Sequence, residues 1–529
     1  MNEISNSDII SQTQSSYDEY GYISSAFNFT SPLRLEAIGR FLSLSPIRAS
    51  DAKILEIGSS YGGNIIPFAL HNPNATIVGI DLSQVQVDAG NEIINKIGLK
   101  NIKLIQKDIT QSDEILSSYG GGFDYIICHG VYSWVPKNVQ DAILSTIKNH
   151  MSPNGIAFVS YNTYPGWKYI EVIKDFMFFA SRKFQDPAQK LKASLDALQT
   201  YKATLQNLDT LEGKMCLKWI DHVLSYTKTK HGSSYIIHEY LEAINEPFYF
   251  TNFAQNLQKY NLEYLSDSDL NDILQAQTGN EQADEYAKQN NLDRIEQEQF
   301  IDFCTQRTFR QSLIVHQDVY NNAKRDIGVN EVSKLYLIDY FKKDKATYLN
   351  LENRQMGDTY AWLYEMFNEN FPKSMSLAEI LNSIPSQNKL AAYLGFIHIL
   401  SNHSTFMPKP YECIRYEVGK TRLKPAVKEY LKYFLHNENP LIIPANEYNY
   451  TWHATKLEFY TALKFDGKNS MLDIKNSVEK YIKTNKIQPK TQDDKEIKGA
   501  KALNEYLINY VFDIENKLAQ MYFFEKIYI

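Results

Sequence analysis

The chain has 529 residues, of which 43% are hydrophobic and 22% charged, enough to bury several cores, so three or four domains are expected. A net charge of −7 and a pI near 5.9 argue against a general nucleic-acid binder with a basic surface. The longest apolar runs fall far short of a membrane span, and the N-terminal MNEISNSDII is polar without a basic start. A soluble cytoplasmic protein without membrane insertion is expected. Its 4 cysteines, Cys128, Cys216, Cys304 and Cys413, are dispersed and form no CxxC pair. Cys128 ends an apolar run and reads as a core residue. No HxxxH or carboxylate cluster suggests a metal.

Residues Met1–Thr30 are polar and then aromatic, with Tyr17, Tyr20, Tyr22, Phe27 and Phe29. Two roles fit these rings: a lid over a ligand mouth, or cover for a sheet edge. Ser31-Pro32 ahead of Leu33–Leu44 predicts a helix with proline in its first turn. Lys53–Asn64, KILEIGSSYGGN, is the most informative stretch. Ile54–Ile57 predicts a buried parallel strand, Gly58, Gly62 and Gly63 a tight turn, and Ile65–Leu70 the start of a helix. Glycine lets backbone approach a ligand and a helix N-terminus offers free N–H groups, so this unit makes a nucleotide site. The next strand, Ala75–Ile80, ends at Asp81. Rossmann-type folds grip a ribose hydroxyl with an acid about 20 residues beyond the glycines.

The choice of cofactor rests on the strand ends. The turn is Glu56-x-Gly58-x-x-x-Gly62 rather than G-x-G-x-x-G. An acid on the strand can accept hydrogen bonds from a cationic methionine end and would repel a pyrophosphate. A third strand, Ile102–Gln106, ends near Asp108, placed for an adenine amino group. A fourth, Phe123–Cys128, runs into His129–Pro136. Four such ends in order predict an α/β, Rossmann-like class I methyltransferase domain that binds S-adenosylmethionine.

Helices are predicted at Ser83–Ile97 and Val139–His150, a turn at Ser152–Gly155 and a strand at Ile156–Tyr161. After the aromatic turn Asn162–Trp167 the chain enters helices at Lys168–Lys183 and Pro187–Leu208, as though a second domain were inserted or appended at the carboxyl edge of the sheet. Leu211–Gln311 reads as mostly helical, with a break at His231–Ser234. Glu281–Glu298 reads as a solvated helix or a linker arm. From Pro440 onward, amphipathic spacing suggests a small helical or winged-helix-like module whose mixed charge favours protein contact over DNA.

GYISSAFNFTSP, KILEIGSSYGGNIIPFA, VGIDLSQVQVDAG, FDYIICHGVYSWVP, SYNTYPGW and HEYLEAINEPFYF occur in this order. Over Gly21–Phe253, and more weakly through Phe309-Arg310-Gln311, they resemble bacterial class I methyltransferases with a methyltransferase regulatory domain. Size and composition are most like the rickettsial protein-lysine methyltransferases that modify outer membrane protein B. The resemblance implies lysine N-methylation of a surface or outer-membrane protein, met before folding or export, by a homodimer. It also implies a cofactor domain at 1–165 with an N-terminal lid, a helical dimerisation region at 166–225 and a regulatory or middle domain at 226–320. A helical middle or C-terminal domain at 321–438 and a small module at 439–529 would follow. Carried over by position, Glu56, Gly58, Ser59, Ser60, Tyr61 and Asn64 would line the methionine end and Asp81 the ribose, with Leu82 a further contact. Asp108 and Ile109 would face adenine, and His129 and Val131 would lie beneath the sulfur. Ser60 departs from the pattern, standing where the usual motif has its middle glycine; a negative φ would accommodate it.

Methyl transfer is an in-line displacement, so the protein must position, desolvate and deprotonate the nucleophile. A lysine amine has an ordinary pKa of about 10.4 and must lose its proton to burial, a base or water. Aromatic faces can hold a cation without capturing its lone pair. Trp134 is the first candidate for a channel wall, with core packing as the other reading; Tyr132 and Tyr161 come next. Asn162 would orient substrate or cap a turn. His238 and Glu239 are the polar candidates from the second domain, against an ordinary helix contact, and Tyr249 is a further channel aromatic. His222 and His231 read as surface residues. Two other functions stay open, a small-molecule N-methyltransferase and a catalytically silent scaffold that binds S-adenosylmethionine. The missing basic surface weighs against nucleic-acid substrates, and the intact glycines and Asp81 weigh against lost cofactor binding.

Overall fold

A computed structural model describes residues 23–527 except 121, 230–231, 243, 271–272, 274–280, 325–326, 352–353, 403–404, 408, 491–495 and 498. Seven strands form its central sheet: β1 (Lys53–Ile57), β2 (Thr76–Asp81), β3 (Ile102–Gln106), β4 (Phe123–Cys128), β5 (Met151–Asn162), β6 (Leu262–Asp267) and β7 (Phe309–His316). Their order is β3-β2-β1-β4-β5-β7-β6. The first five run parallel, while β7 is antiparallel to both β5 and β6.

The short apolar runs become central strands because both of their faces are covered. Along β1, Ile54 enters one core while Leu55 and Ile57 enter the other; along β4, Tyr125 and Ile127 alternate with Ile126 and Cys128 in the same way. Cys128 is fully buried, as its place in the run suggests. Helices Pro32–Phe41, Ile66–His71, Gln84–Ile97 and Lys137–His150 fall close to their predicted positions. Ser83 caps the third by accepting from Gln86 N–H.

The sheet does not stop at residue 165, and the stretch expected to be mostly helical supplies β6 and β7. Arg310, Gln311 and Ser312 interrupt the apolar signal of β7, and a register shift between Tyr264 and Ser266 breaks the alternation of β6. Between β5 and β6 lie helices Trp167–Ser181, Pro187–Leu205, Leu211–Tyr226 and Gly232–Tyr240, which share their own core around Ile173, Leu198, Ile220 and Ile236. A boundary at 225 therefore cuts through a single helical insert. The chain returns to the sheet where Phe248 N–H donates to the Asn162 carbonyl at 3.0 Å.

The section expected to be helical at 321–438 also holds a three-stranded sheet of Tyr336–Ile338, Met375–Ser376 and Thr405–Met407. The last unit begins before residue 439, because Thr421–Leu423 pairs antiparallel with Phe524–Lys526. This small sheet joins the two ends of the unit, so no hairpin wing is made of it. Among the described residues no helix is long and apolar enough to cross a membrane. Tyr17, Tyr20, Tyr22 and His231 lie outside the described residues.

Candidate active site

The carboxyl ends of β1, β2, β4 and β5 converge with the helical insert on a cavity of about 1260 Å³. Gly58 leaves β1 with φ +77°, and a Cβ there would stand 2.4 Å from Val131 Cγ2. Only glycine lets this loop lie against the turn after β4. Ser60 does not take the expected negative φ; it sits at +49°. A left-handed non-glycine residue costs about 1–2 kcal/mol, and Asp81 holds it there. Asp81 Oδ2 accepts from Ser60 N–H at 2.7 Å and Oδ1 from Ser83 N–H at 2.9 Å. One carboxylate thus joins the glycine turn to the start of helix Gln84–Ile97.

Glu56 is 3% exposed and its Oε1 accepts from Asn64 Nδ2 at 2.7 Å. Burial, with a smaller push from Asp81, raises its pKa to about 8, against the pull of the Asn64 hydrogen bond. Glu56 Oε2, Ser59 Oγ and Ser60 Oγ are buried with no hydrogen-bond partner among the described residues. Buried polar atoms are rarely left so, and this set fits the ammonium and carboxylate of an amino-acid ligand. Leu82, Asp108 and Ile109 line the same cavity further along. Asp108 Oδ1 accepts from the Thr110 N–H and hydroxyl, both at 2.8 Å. His129 Nδ1 lies 2.9 Å from Ser160 Oγ, and Phe27 meets its ring edge-on at 4.3 Å. Burial lowers the His129 pKa to about 4, so its imidazole is neutral.

Trp134, Asn162, His238 and Glu239 line the other half of the cavity. Trp134 packs edge-on to Trp167 at 6.4 Å, and Lys174 Nζ stands 5.5 Å from the Trp134 ring centre. Asn162 Nδ2 donates to Asn245 Oδ1 at 2.9 Å, and His238 Nδ1 lies 2.9 Å from Glu242 Oε1. Burial raises the Glu239 pKa to about 7, opposed by the charge of Lys174. Lys174 is itself lowered to about 8 by burial, and its Nζ donates to the Glu242 carbonyl at 2.8 Å.

Four expected site side chains lie elsewhere. Tyr132 and Tyr161 are in the sheet core, where Phe253 sits 5.4 and 4.1 Å from their rings. Tyr61 belongs to the opposite core, and Tyr249 packs against Tyr164 and Phe303. In their place Trp167, Trp219, Tyr235 and Tyr240 line the cavity from the insert. Trp167 closes the aromatic turn Asn162–Trp167, while Trp219, Tyr235 and Tyr240 carry no motif in the sequence. His222 is exposed, as expected, but on the cavity wall. Among the described residues no group of His, Cys, Asp and Glu could hold a metal ion.

Sheet order, glycine turn and strand-end acids define a class I methyltransferase fold. Residues 55–157 match the family described as "Methyltransferase domain", and residues 232–316 match "Predicted methyltransferase regulatory domain". Two proteins of Rickettsia prowazekii (strain Madrid E) are similar. Uncharacterized protein RP789 is 36% identical over 322 residues, 61% of this chain and 56% of its own length. Uncharacterized protein RP028 is 40% identical over 244 residues, 46% of this chain and 94% of its own. The chain thus spans little more than half of the first relative. Among solved structures, PKMT2 from Rickettsia typhi superposes with a TM-score of 0.76 at 26% identity, covering 94% of this chain and 99% of that one. The same protein in complex with AdoHcy gives 0.75 at 27% identity, with the same coverage. The chain belongs to the class I S-adenosylmethionine-dependent methyltransferases that carry a methyltransferase regulatory domain.

Proposed function

We propose that the protein is a protein-lysine N-methyltransferase acting on a surface or outer-membrane protein such as outer membrane protein B, as a cytoplasmic homodimer. The observation that carries the reading is the continuity of the cavity: Glu56 and Asp81 line one end, and Trp134 and Glu239 the other. The full-length likeness to PKMT2, a protein lysine methyltransferase, supports the substrate class.

S-adenosylmethionine, when bound, supplies an electrophilic methyl group on a sulfonium. Glu56, Ser59 and Ser60 would hold its amino-acid end through their orphaned polar atoms, Asp81 and Leu82 the ribose, and Asp108 and Ile109 the adenine. His129, held neutral by burial, and Val131 would add no competing charge beside the sulfonium. The substrate lysine enters among Trp134, Trp167, Trp219 and Tyr235, whose rings shed water and accept the ammonium on their faces. Glu239, with a pKa raised to about 7, is ionised above neutrality and takes the proton. Asn162, fixed by Asn245, orients the amine.

The test is S-adenosylhomocysteine release from S-adenosylmethionine with an unfolded outer-membrane protein as acceptor. Release that depends on the polypeptide, and is abolished when its lysines are blocked by acetylation, is expected. Release driven equally by small amines would favour a small-molecule enzyme, and none with any acceptor a silent scaffold.

A further inference from the structure

The C-terminal unit packs behind the cofactor end of the cavity, against residues that line it, a contact that nothing in the motif set anticipates. Ser24, which lines the cavity, pairs its backbone with residues 441–443: its N–H donates to the Leu441 carbonyl at 2.9 Å, and its carbonyl accepts from Ile443 N–H at 3.2 Å. Ser24 in turn lies against the glycine turn. Its Oγ accepts from Gly63 N–H at 3.0 Å, and a Cβ on Gly63 would stand 2.3 Å from the Ser24 carbonyl oxygen.

A second tie is made by a side chain. Phe27 N–H donates to Asn64 Oδ1 at 3.0 Å. A backbone N–H can only donate, which fixes the Asn64 amide with its oxygen toward Phe27 and its nitrogen toward Glu56. The atom of Asn449 at 3.0 Å from Asn64 Oδ1 is then a donor, Nδ2. Thr30 Oγ1 stands 2.9 Å from the same oxygen. Asn449 is 1% exposed and sits at φ +61°, in a loop where Asn446 Oδ1 accepts from both Tyr448 and Tyr450 N–H at 3.0 Å. Asparagine tolerates that conformation better than most residues.

We propose that Asn449 is a positioning residue of the cofactor site, holding the Asn64 amide so that Glu56 presents its free oxygen to the ammonium of the bound methionine group. The proposal rests on the reading of this end as the S-adenosylmethionine site. It makes the C-terminal unit part of that site, although its residues lie nearly 400 positions away in the chain (449 against 56).

The test is calorimetric titration of the full chain with S-adenosylhomocysteine across about pH 6 to 9, a span bracketing the raised carboxyl. Asn449→Gly keeps the left-handed backbone and removes the amide; Asn449→Asp keeps the shape and replaces the donor with an acceptor. Both should weaken binding about tenfold, the loss of one buried hydrogen bond to a ligand-holding group. The acidic limb of the affinity profile should also move to higher pH, because the Asn64 hydrogen bond is what lowers the Glu56 pKa. The titratable groups facing Glu56 are Asp81 on β2 and Cys128 on β4, and neither is altered in these variants.

Arg422→Met is the control. Arg422 Nε pairs with Glu525 Oε1 at 2.9 Å within the C-terminal unit and does not line the cavity, so its loss should leave affinity and pH profile unchanged. Unchanged affinity in both Asn449 variants would overturn the proposal, as would an equal loss in Arg422→Met. Failure of the unaltered protein to bind S-adenosylhomocysteine would overturn the cofactor reading and the proposal with it.

Discussion

Asn162 at the end of β5 donates through Nδ2 to Asn245 Oδ1 at 2.9 Å, joining the sheet's rim of the cavity to the chain that leaves the helical insert. The bond ties the end of β5 to the segment that follows the helix carrying Glu239. Asn162→Ala should therefore lower kcat by about tenfold or more while leaving S-adenosylhomocysteine affinity within about twofold, since misplacement costs rate before it costs binding. Steady-state kinetics beside calorimetry separate the two.

Glu239→Gln removes the proposed base with little change of shape. A loss of about 10²- to 10⁴-fold in kcat is expected. With its pKa raised to about 7, Glu239 is ionised above and protonated below that pH, so the parent's kcat/KM should fall as pH drops through about 7. The variant should lose the break at that pH, its rate instead rising steadily with pH as more of the substrate lysine is neutral. A parent profile unchanged down to pH 5 would remove Glu239 from the mechanism.

Asp81 accepts the Ser60 and Ser83 N–H groups. Asp81→Ala should abolish S-adenosylhomocysteine binding and also destabilise the fold by about 2 kcal/mol, the scale of hydrogen bonds to a charged group. Urea unfolding measures the second effect. Loss of binding with stability unchanged would mean that Asp81 serves the ligand alone.

The five parallel strands and most of the residues that line the cavity at their ends were legible because the strand-turn-acid units are local in sequence. The two last strands and the aromatic lining were not. Arg310 shows why: a charged residue in a strand reads as solvent-facing, yet it is fully buried here. It is enclosed by Asp302, Asp267 and Glu298 at 2.8 to 3.0 Å and lies over Phe250. Those partners come from other elements, so no local pattern announces them. Tyr132 and Tyr161 failed in the opposite sense: adjacency to the motif suggested the cavity, but strand alternation turns Tyr161, and the short helical turn after β4 turns Tyr132, into the core with Phe253.

The same cluster gives a stability prediction. Arg310→Met leaves Asp302 and Asp267 with Arg307 as their remaining cation and takes Glu298's partner away, and should cost about 3–5 kcal/mol. Burial already pushes the Asp302 pKa up, against the pull of Arg310 and Arg307, and without Arg310 the larger opposing pull is gone. A folded-state pKa above the unfolded one means stability is lost as pH rises, so the variant's deficit should shrink on acidification. Chemical denaturation at two pH values reads this directly.

The most direct measurement is residue-level mass spectrometry of an unfolded outer-membrane protein after incubation with the enzyme and methyl-labelled S-adenosylmethionine. Label on lysine side-chain amines, absent with Asp81→Ala and strongly reduced with Glu239→Gln, is the predicted result. Label confined to other residue types or to small molecules, with S-adenosylmethionine binding intact, would contradict protein-lysine methylation and leave only the cofactor fold standing.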